Sequence, residues 1–380
     1  MLKTKTDPAL DHGPLRRTII RSAADAVQAT APLDVIDPRG MIFDRAPDDQ
    51  WTLRVRGSDR QRVLGLGSGP QVWDRADRFA WTELPLDEDD ALPGRRLPGD
   101  PHALGDLLGT AEAVDVAPVT YRRGRRAVLR VVERSSGRTH YVKLLSRKAW
   151  RKADRALQTA RSLQADAVLQ PRVAEPSRAL LVFDALQMGS LHDRLWAGER
   201  VDLEPLLEGM RRFAALTAPV DLPRRDLETE RSAAARQLRT SLDFLPALGS
   251  LLAAVERVEP LRLPGDGLVH GDLHDKQIFL SGDRLRLIDA ESLASGSPLL
   301  DVVNLAEHLR LRGLQGCEGA PGAAERLWRQ AALDPADPAI RQLRGLVRAR
   351  LAAVYARRPW WWDLALEIAR DAGDLLGQRP

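Results

Sequence analysis

The stretch His270-Gly271-Asp272-Leu273-His274-Asp275-Lys276-Gln277 precedes a second carboxylate, Asp289, which lies 17 positions after Asp272 and closes the apolar run Leu287-Ile288. A carboxylate in a loop can accept the proton of an incoming hydroxyl and align its oxygen. A carboxylate at the end of a strand offers the hard oxygen that magnesium prefers. Gln277, five positions after Asp272, adds an amide oxygen able to reach the same cation. Alone, a His-Gly-Asp tripeptide reads as a loop turn. Joined to Gln277 and Asp289, it reads as the floor of a site for phosphoryl transfer, where catalysis is positioning plus neutralisation of charge.

These residues need elements to hold them. Alternating apolar patterns predict strands over 114–121, 127–133 and 139–145, the last two joined by the Ser- and Gly-containing turn 134–138. The first connector, Arg122-Arg123-Gly124-Arg125-Arg126, is strongly basic. Residues 147–164 carry Ala149, Trp150, Ala153, Leu157, Ala160 and Leu163 on one side, which predicts an amphipathic helix. Residues 179–184 read as a buried strand, and Ser190 as the N-cap of the helix that follows. Helical patterns then cover 203–216, 228–256 with an interruption at Pro246, 323–333, 340–355 and 361–376.

The order His-Gly-Asp-Leu-His, then Ile288-Asp289, then Pro298-Leu299-Leu300-Asp301 with Asn304-Leu305-Ala306 resembles the aminoglycoside phosphotransferase and choline kinase superfamily. The resemblance covers about residues 110–310 and implies an α+β, protein-kinase-like two-lobe fold, with a small β-rich N-lobe, a mostly helical C-lobe and an extra N-terminal subdomain. The expected division is 1–105, 106–186 and 187–380. By position in the motif, Asp272 would orient the acceptor, while Asp289 and then Gln277 would bind Mg2+. Lys143, on the third strand, would meet the phosphates of ATP or GTP under the connector Arg123, Gly124 and Arg125, whose guanidinium forks suit phosphate oxygens. A solvated hairpin tip is the competing reading of those arginines. Backbone groups of Asp184 to Leu186 would meet the purine edge. The family usually has Asn where this chain has Gln277, a variant similar to that of maltokinases. No Glu lies between Lys143 and Leu169, so Asp154 or Gln158 is left to orient the lysine, with Gln158 at nearly the expected distance.

Other residues carry two readings each. His270 holds the catalytic loop in the family, and a zinc site on His270 and His274 lacks a third ligand at sensible spacing. Glu291 either approaches the metal or is solvated. Asp301 resembles the aspartate that braces the loop. Trp360-Trp361-Trp362 could stack on a sugar ring, but consecutive residues at a helix start cannot share one face, so at least one belongs to the core. Glu204, Glu208, Asp226, Glu228 and Glu230 could receive a cationic acceptor or simply cover helix surfaces.

With 380 residues, a net charge of +4 and the basic residues dispersed among acidic ones, the chain suggests a globular protein of two or three subdomains that does not bind nucleic acid. The single Cys317 excludes an internal disulfide and a cysteine metal cage. The absence of a signal-peptide pattern and of a long apolar run predicts a cytoplasmic protein without a membrane contact. Before the motif region, 19–31 reads as a helix, 51–56 as a strand with a turn at 57–59, and 84–101 as an acidic, Pro-rich linker or long surface loop. Gly65-Leu66-Gly67-Ser68-Gly69 lacks the Lys-Ser/Thr of a phosphate loop and reads as a turn or bulge. The expected function is transfer of the γ-phosphoryl group to a hydroxyl of a sugar, aminoglycoside-like or amino-alcohol acceptor. The alternative is a catalytically weak kinase-fold protein that binds a nucleotide or partner.

Overall fold

The computed structural model describes residues 37–45, 51–56, 61–66, 81–110, 113–219, 221–282 and 284–377, together with the helical Ile19, Arg21 and Ala23. The remainder of the helix expected over 19–31, the turn at 57–59 and residues 67–69 lie outside that set. The chain builds a sheet-rich N-terminal part and a mostly helical C-terminal part.

A first antiparallel sheet has the order β1 (Asp37–Arg45), β2 (Trp51–Arg56), β3 (Gln61–Leu66) and β4 (Trp81–Glu83). Its Met41, Phe43, Leu53, Val55 and Leu64 enter the same core as Leu227, Phe244, Leu346 and Trp362 of the helical part, and Phe43 stacks on Phe244 at 4.9 Å. Val63 points the other way, into a core with Leu92, Leu104 and Leu129. Each large apolar side chain so buried contributes about 1.5–3 kcal/mol. This sheet is therefore wedged between the two other parts rather than appended to one.

The stretch 84–101 is a loop that packs against the strands rather than a free linker. It forms short 3-10 turns at Leu86–Glu88 and Leu97–Gly99, and Leu92 and Leu97 are buried beside the strands that follow. Pro85, Pro98 and Pro101 stand at the starts of the two turns and of the helix that follows, where a proline's missing N–H costs nothing. Helix α1 (Pro101–Leu108) follows, capped by Asp100.

A second sheet has the order β5 (Val114–Arg122), β6 (Arg126–Glu133), β7 (Thr139–Leu145), β9 (Leu180–Asp184), β8 (Val173–Glu175), with all neighbours antiparallel. Pro118 in β5 lacks a donor, and the register slips between Pro118 and Thr120. Helix α2 (Arg147–Ser162) lies beneath, capped by Ser146, with Trp150, Ala153, Ala156, Leu157 and Ala160 buried.

The helical part holds α3 (Leu191–Trp196), α4 (Glu204–Ala214), α5 (Leu227–Ser241), α6 (Gly249–Arg257), α7 (Leu299–Leu314), α8 (Gly319–Gln330), α9 (Pro338–Ala356) and α10 (Trp362–Leu375). Ser190 caps α3 in a reciprocal capping box with Asp193. Between α4 and α5 lies the short β10 (Arg224–Arg225), and between α6 and α7 run β11 (Gly267–Val269), β12 (Ile278–Ser281), β13 (Arg284–Leu287) and β14 (Ala294–Gly296), which carry the candidate site. Among the described residues, no helix is long and apolar enough to cross a membrane.

Candidate active site

The floor of the site is the loop from β11 to β12. At its start the backbone N–H groups of His270 and Gly271 donate to the two oxygens of Asp301 on α7, at 2.7 and 2.9 Å. Burial raises the Asp301 pKa, against the opposing pull of His270, those two amides and Arg225. Gly271 has φ +79°, and a Cβ there would sit 2.3 Å from the Ser292 carbonyl oxygen. Only glycine fits that crossing. The His270 ring is fully buried and its Nε2 donates to the Ile288 carbonyl at 2.9 Å, tying the loop to the strand that ends in Asp289. Asn304 donates to the Leu273 carbonyl at 2.7 Å and in turn accepts from Arg350, which pairs with Glu230, which pairs with Arg225. Against this clamped backbone, Asp272 is exposed, and no described residue donates to its carboxylate.

Beyond Asp272 the loop is held as firmly. Asp275 is fully buried, and the Arg312 guanidinium grips both its oxygens at 2.8 and 3.2 Å while His192 takes one at 2.5 Å. Burial alone would raise its pKa, but His192 and Arg312 outweigh it and hold the carboxyl well below the usual range. His274 stacks on His308 at 4.8 Å, and burial keeps both rings below the ordinary histidine pKa. His274, Asp275 and His308 bring possible metal-ligating atoms within 4.8 Å of one another, but the carboxylate is already neutralised by Arg312, which argues against a cation there. Gln277 is buried, and its amide oxygen accepts the His274 N–H at 3.2 Å, closing a 3-10 capping box.

The wall comes from two distant segments. Lys143, on β7, forms an ion pair with Asp289 and a 2.9 Å bond to Glu291. Burial opposes the lysine charge, but the two carboxylates prevail and raise its pKa; the same contact, with help from Arg126 and His270, lowers that of Asp289 despite its burial. Asp289 sits at φ +61°, a left-handed conformation that aspartate tolerates better than most side chains and that often marks functional sites. Gln158 takes no part. It lies on the exposed side of α2 and donates to Asp154 one turn away at 2.8 Å, so the lysine is oriented by Glu291 instead. A partner two residues after the motif aspartate was a visible signal.

The roof is the β5–β6 hairpin. Gly124 has φ +67° and its N–H donates to Asp89 at 2.7 Å, while the Tyr121 hydroxyl donates to the same oxygen at 2.9 Å. Arg122 pairs with Asp44 of β1 at 2.9 Å, and Asp44 also holds Arg54 at 2.6 Å and Arg357 at 3.6 Å. Asp44 and Asp89 come from the segment before the second sheet, and nothing in their sequence neighbourhood marks them. Arg123 is half-buried and Arg125 exposed on the hairpin. At the other end of the sheet Asp184 is exposed and accepts from His140, whose second nitrogen meets Glu133, both at 2.9 Å. The backbone of the next-but-one residue, Leu186, makes no hydrogen bond to a described residue, so its N–H and C=O remain open to a ligand edge.

The three tryptophans separate as the helical geometry requires. Trp362 is core, Trp361 meets Tyr355 edge-on and donates to the Arg39 carbonyl, and Trp360 is exposed under the Arg39 guanidinium.

The donor set around Lys143 suits a hard cation: Asp289 and Glu291 bring carboxylate oxygens together on one positive charge. Gln277 would have to leave its capping bond to join them. Neither a protein-family model nor a curated protein matches the chain. Solved structures do. The apo form of a thermostable mutant of aminoglycoside phosphotransferase APH(4)-Ia superposes with a TM-score of 0.50 at 15% identity, over 73% of this chain and 98% of the other. A ternary complex of a thermostable mutant of the same enzyme with ADP and hygromycin B gives 0.51 at 16% identity, over 74% of this chain and all (100%) of the other. A choline kinase from Streptococcus pneumoniae gives 0.47 at 11% identity, over 72% and 96%. The likeness to the first two shows the two-lobed, kinase-like fold of the aminoglycoside phosphotransferases, with the His-Gly-Asp loop clamped at the base of the helical lobe.

Proposed function

We propose that the protein transfers the γ-phosphoryl group of ATP or GTP to a hydroxyl of a small molecule, with residues 106–186 and 187–380 as the two lobes and 1–105 as an added subdomain. The observation that carries this reading is the contrast in one loop: every neighbour of Asp272 is tied down, while its own carboxylate stays exposed and unbonded. A carboxylate held so rigidly costs little to orient and is free to accept the acceptor's hydroxyl hydrogen. Lys143 would meet phosphate oxygens, and Asp289 with Glu291 would hold magnesium, with Gln277 as a further ligand after rotation. That ion would neutralise charge on the phosphates. Arg123, Gly124 and Arg125 would cover the phosphates from above, and Asp184 to Leu186 would meet the base.

Radiolabelled ATP or GTP with magnesium, offered to pooled hydroxyl acceptors, tests the reading. Label should appear in one pool and vanish in Asp272→Ala and Asp289→Ala. Transfer that persists in both variants would sink it.

A second reading is favoured by one feature: Lys143 is engaged by two carboxylates, and Gln277 is turned into its cap. A nucleotide-binding protein of little activity would keep such a closed arrangement. Its signature is ATP binding that does not depend on magnesium, measured by calorimetry with and without chelator.

A further inference from the structure

Around its mouth the site gathers the cationic side chains of Lys276, Arg312 and Arg358, of which only Arg312 pairs with a described carboxylate, while Asp272 stays without a described partner. Lys276, one residue past the buried Asp275, is exposed, and no described residue bonds its ammonium. It lies within electrostatic reach of Arg312 and Arg358. Arg358, just past the end of α9, lies over the Tyr355 ring at 4.8 Å, has a buried Nε without a partner, and pairs with no described carboxylate. The Tyr355 hydroxyl accepts from Arg312 at 3.2 Å, which links this arginine cluster to the catalytic loop through Asp275. Next to Arg358 in the chain, Arg357 shares the one carboxylate of Asp44 with Arg122 of the roof and Arg54. Crowding shows in the guanidinium groups: after burial, neighbouring arginines contribute to depressing the pKa of Arg125 and of Arg357.

The carboxylates that a cationic acceptor would need are spent elsewhere. Glu204 and Glu208 pair with Arg211, Glu228 with Arg231, and Glu230 is buried between Arg225 and Arg350. Asp226 caps α5. None of the five is left as an unengaged acid.

Resting on the phosphotransferase reading, we propose that the acceptor is an anion, a small hydroxyl compound bearing a phosphate or carboxylate, whose charge is received by Lys276 and Arg358. In the transfer, the acceptor oxygen forms its bond to the γ-phosphorus as the bond to the β,γ-bridging oxygen breaks. The nucleoside diphosphate leaves, and the hydroxyl proton passes to Asp272 and then to water. A multiply cationic acceptor is repelled by the same mouth.

The nucleotide's own phosphates could also draw on these cations, so binding is measured with inorganic phosphate as the probe, titrated into the full chain with and without saturating ADP. The expected result is phosphate binding that survives ADP and weakens at least fivefold in Lys276→Gln and in Arg358→Gln, with ADP affinity unchanged. Lys276 is exposed, so its variant tests the site without endangering the fold. Phosphate that ADP displaces completely, or that binds the variants as tightly as wild type, overturns the proposal. In the turnover arm, sugar phosphates and sugar acids should be labelled and aminoglycosides not. Labelling of aminoglycosides alone overturns the anionic acceptor and leaves the phosphotransferase intact. Phosphate binding as expected with no transfer to any compound supports the anion site and counts against the phosphotransferase.

Discussion

The floor and the roof of the candidate site are held by different means. The loop 270–277 is fastened by buried groups of the helical lobe alone: Asp301 on two amides, Asn304 on a carbonyl, Arg312 and His192 on Asp275. The hairpin 122–126 is fastened by two carboxylates from outside its own sheet, Asp89 and Asp44, and Asp44 also binds the helical lobe through Arg357. Buried, fully satisfied hydrogen bonds rigidify. The roof carboxylates are buried as well, but Asp44 holds Arg122 and Arg357, which are half-buried and come from two different elements, so this tie spans a seam. On the proposed function, the floor would be pre-organised to orient a hydroxyl, and the roof would be held to it through both lobes.

The largest break in this contrast is chemical. Asp272→Ala removes the only free carboxylate of the floor, and transfer should fall by about 10²–10⁴-fold, the usual range for a general base, with the fold unchanged by circular dichroism. Asp289→Ala should abolish transfer to a similar degree, and should also free Lys143.

Next comes the floor's own rigidity. Asp301→Ala leaves two buried N–H groups without acceptors, at about 1–3 kcal/mol each, so urea denaturation should show a loss of several kcal/mol. A loss under about 1 kcal/mol would mean that water replaces the carboxylate and that the floor is less clamped than its geometry implies.

Acidification gives a smaller effect on the same region. His274 and His308 are held neutral in the fold by burial, whereas in the unfolded chain histidine titrates near about 6.5. As pH falls below that value, the unfolded chain takes up protons that the folded one refuses. Stability should therefore decline by up to about 1.4 kcal/mol per pH unit for each ring. Replacing His308 by Phe should halve the slope between pH 6.5 and 5, and an unchanged slope would clear this pair of the effect.

The smallest change is expected in the roof. Asp89→Ala frees the Gly124 amide and the Tyr121 hydroxyl, and the KM for nucleotide should rise up to about tenfold, or 1.4 kcal/mol, while kcat moves less. If kcat falls and KM holds, the hairpin acts on the reacting geometry and the distinction between floor and roof blurs.

Much of this was legible because it is local. The His-Gly-Asp loop, the strand ending in Asp289, Lys143 on β7 and the spans of α2 and α9 follow from spacing and periodicity, which peptide geometry dictates over a few residues. Asp301 also came from its motif. The partner of Lys143 did not, since Glu291 lies 148 residues away and its place in the chain suits a metal neighbour or a solvated acid equally. Gln158, at a plausible distance along the chain, turned outward because the opposite face of α2 is the apolar one.

By itself, the sequence determined the strands and helices and the spacing of the His-Gly-Asp loop and Asp289, because backbone hydrogen bonding and hydrophobic periodicity are properties of short segments; the two-lobed plan came from the resemblance those motifs carry. Only the tertiary structure decided which charges meet: Asp44 with arginines from three elements, Asp89 with the hairpin, and the acidic helix residues consumed by neighbouring arginines. Coulomb attraction depends on distance in space and on local dielectric, and neither leaves a period in the chain. The same reason makes the mouth's gathered cations invisible in a net charge of +4 and plain in the folded molecule.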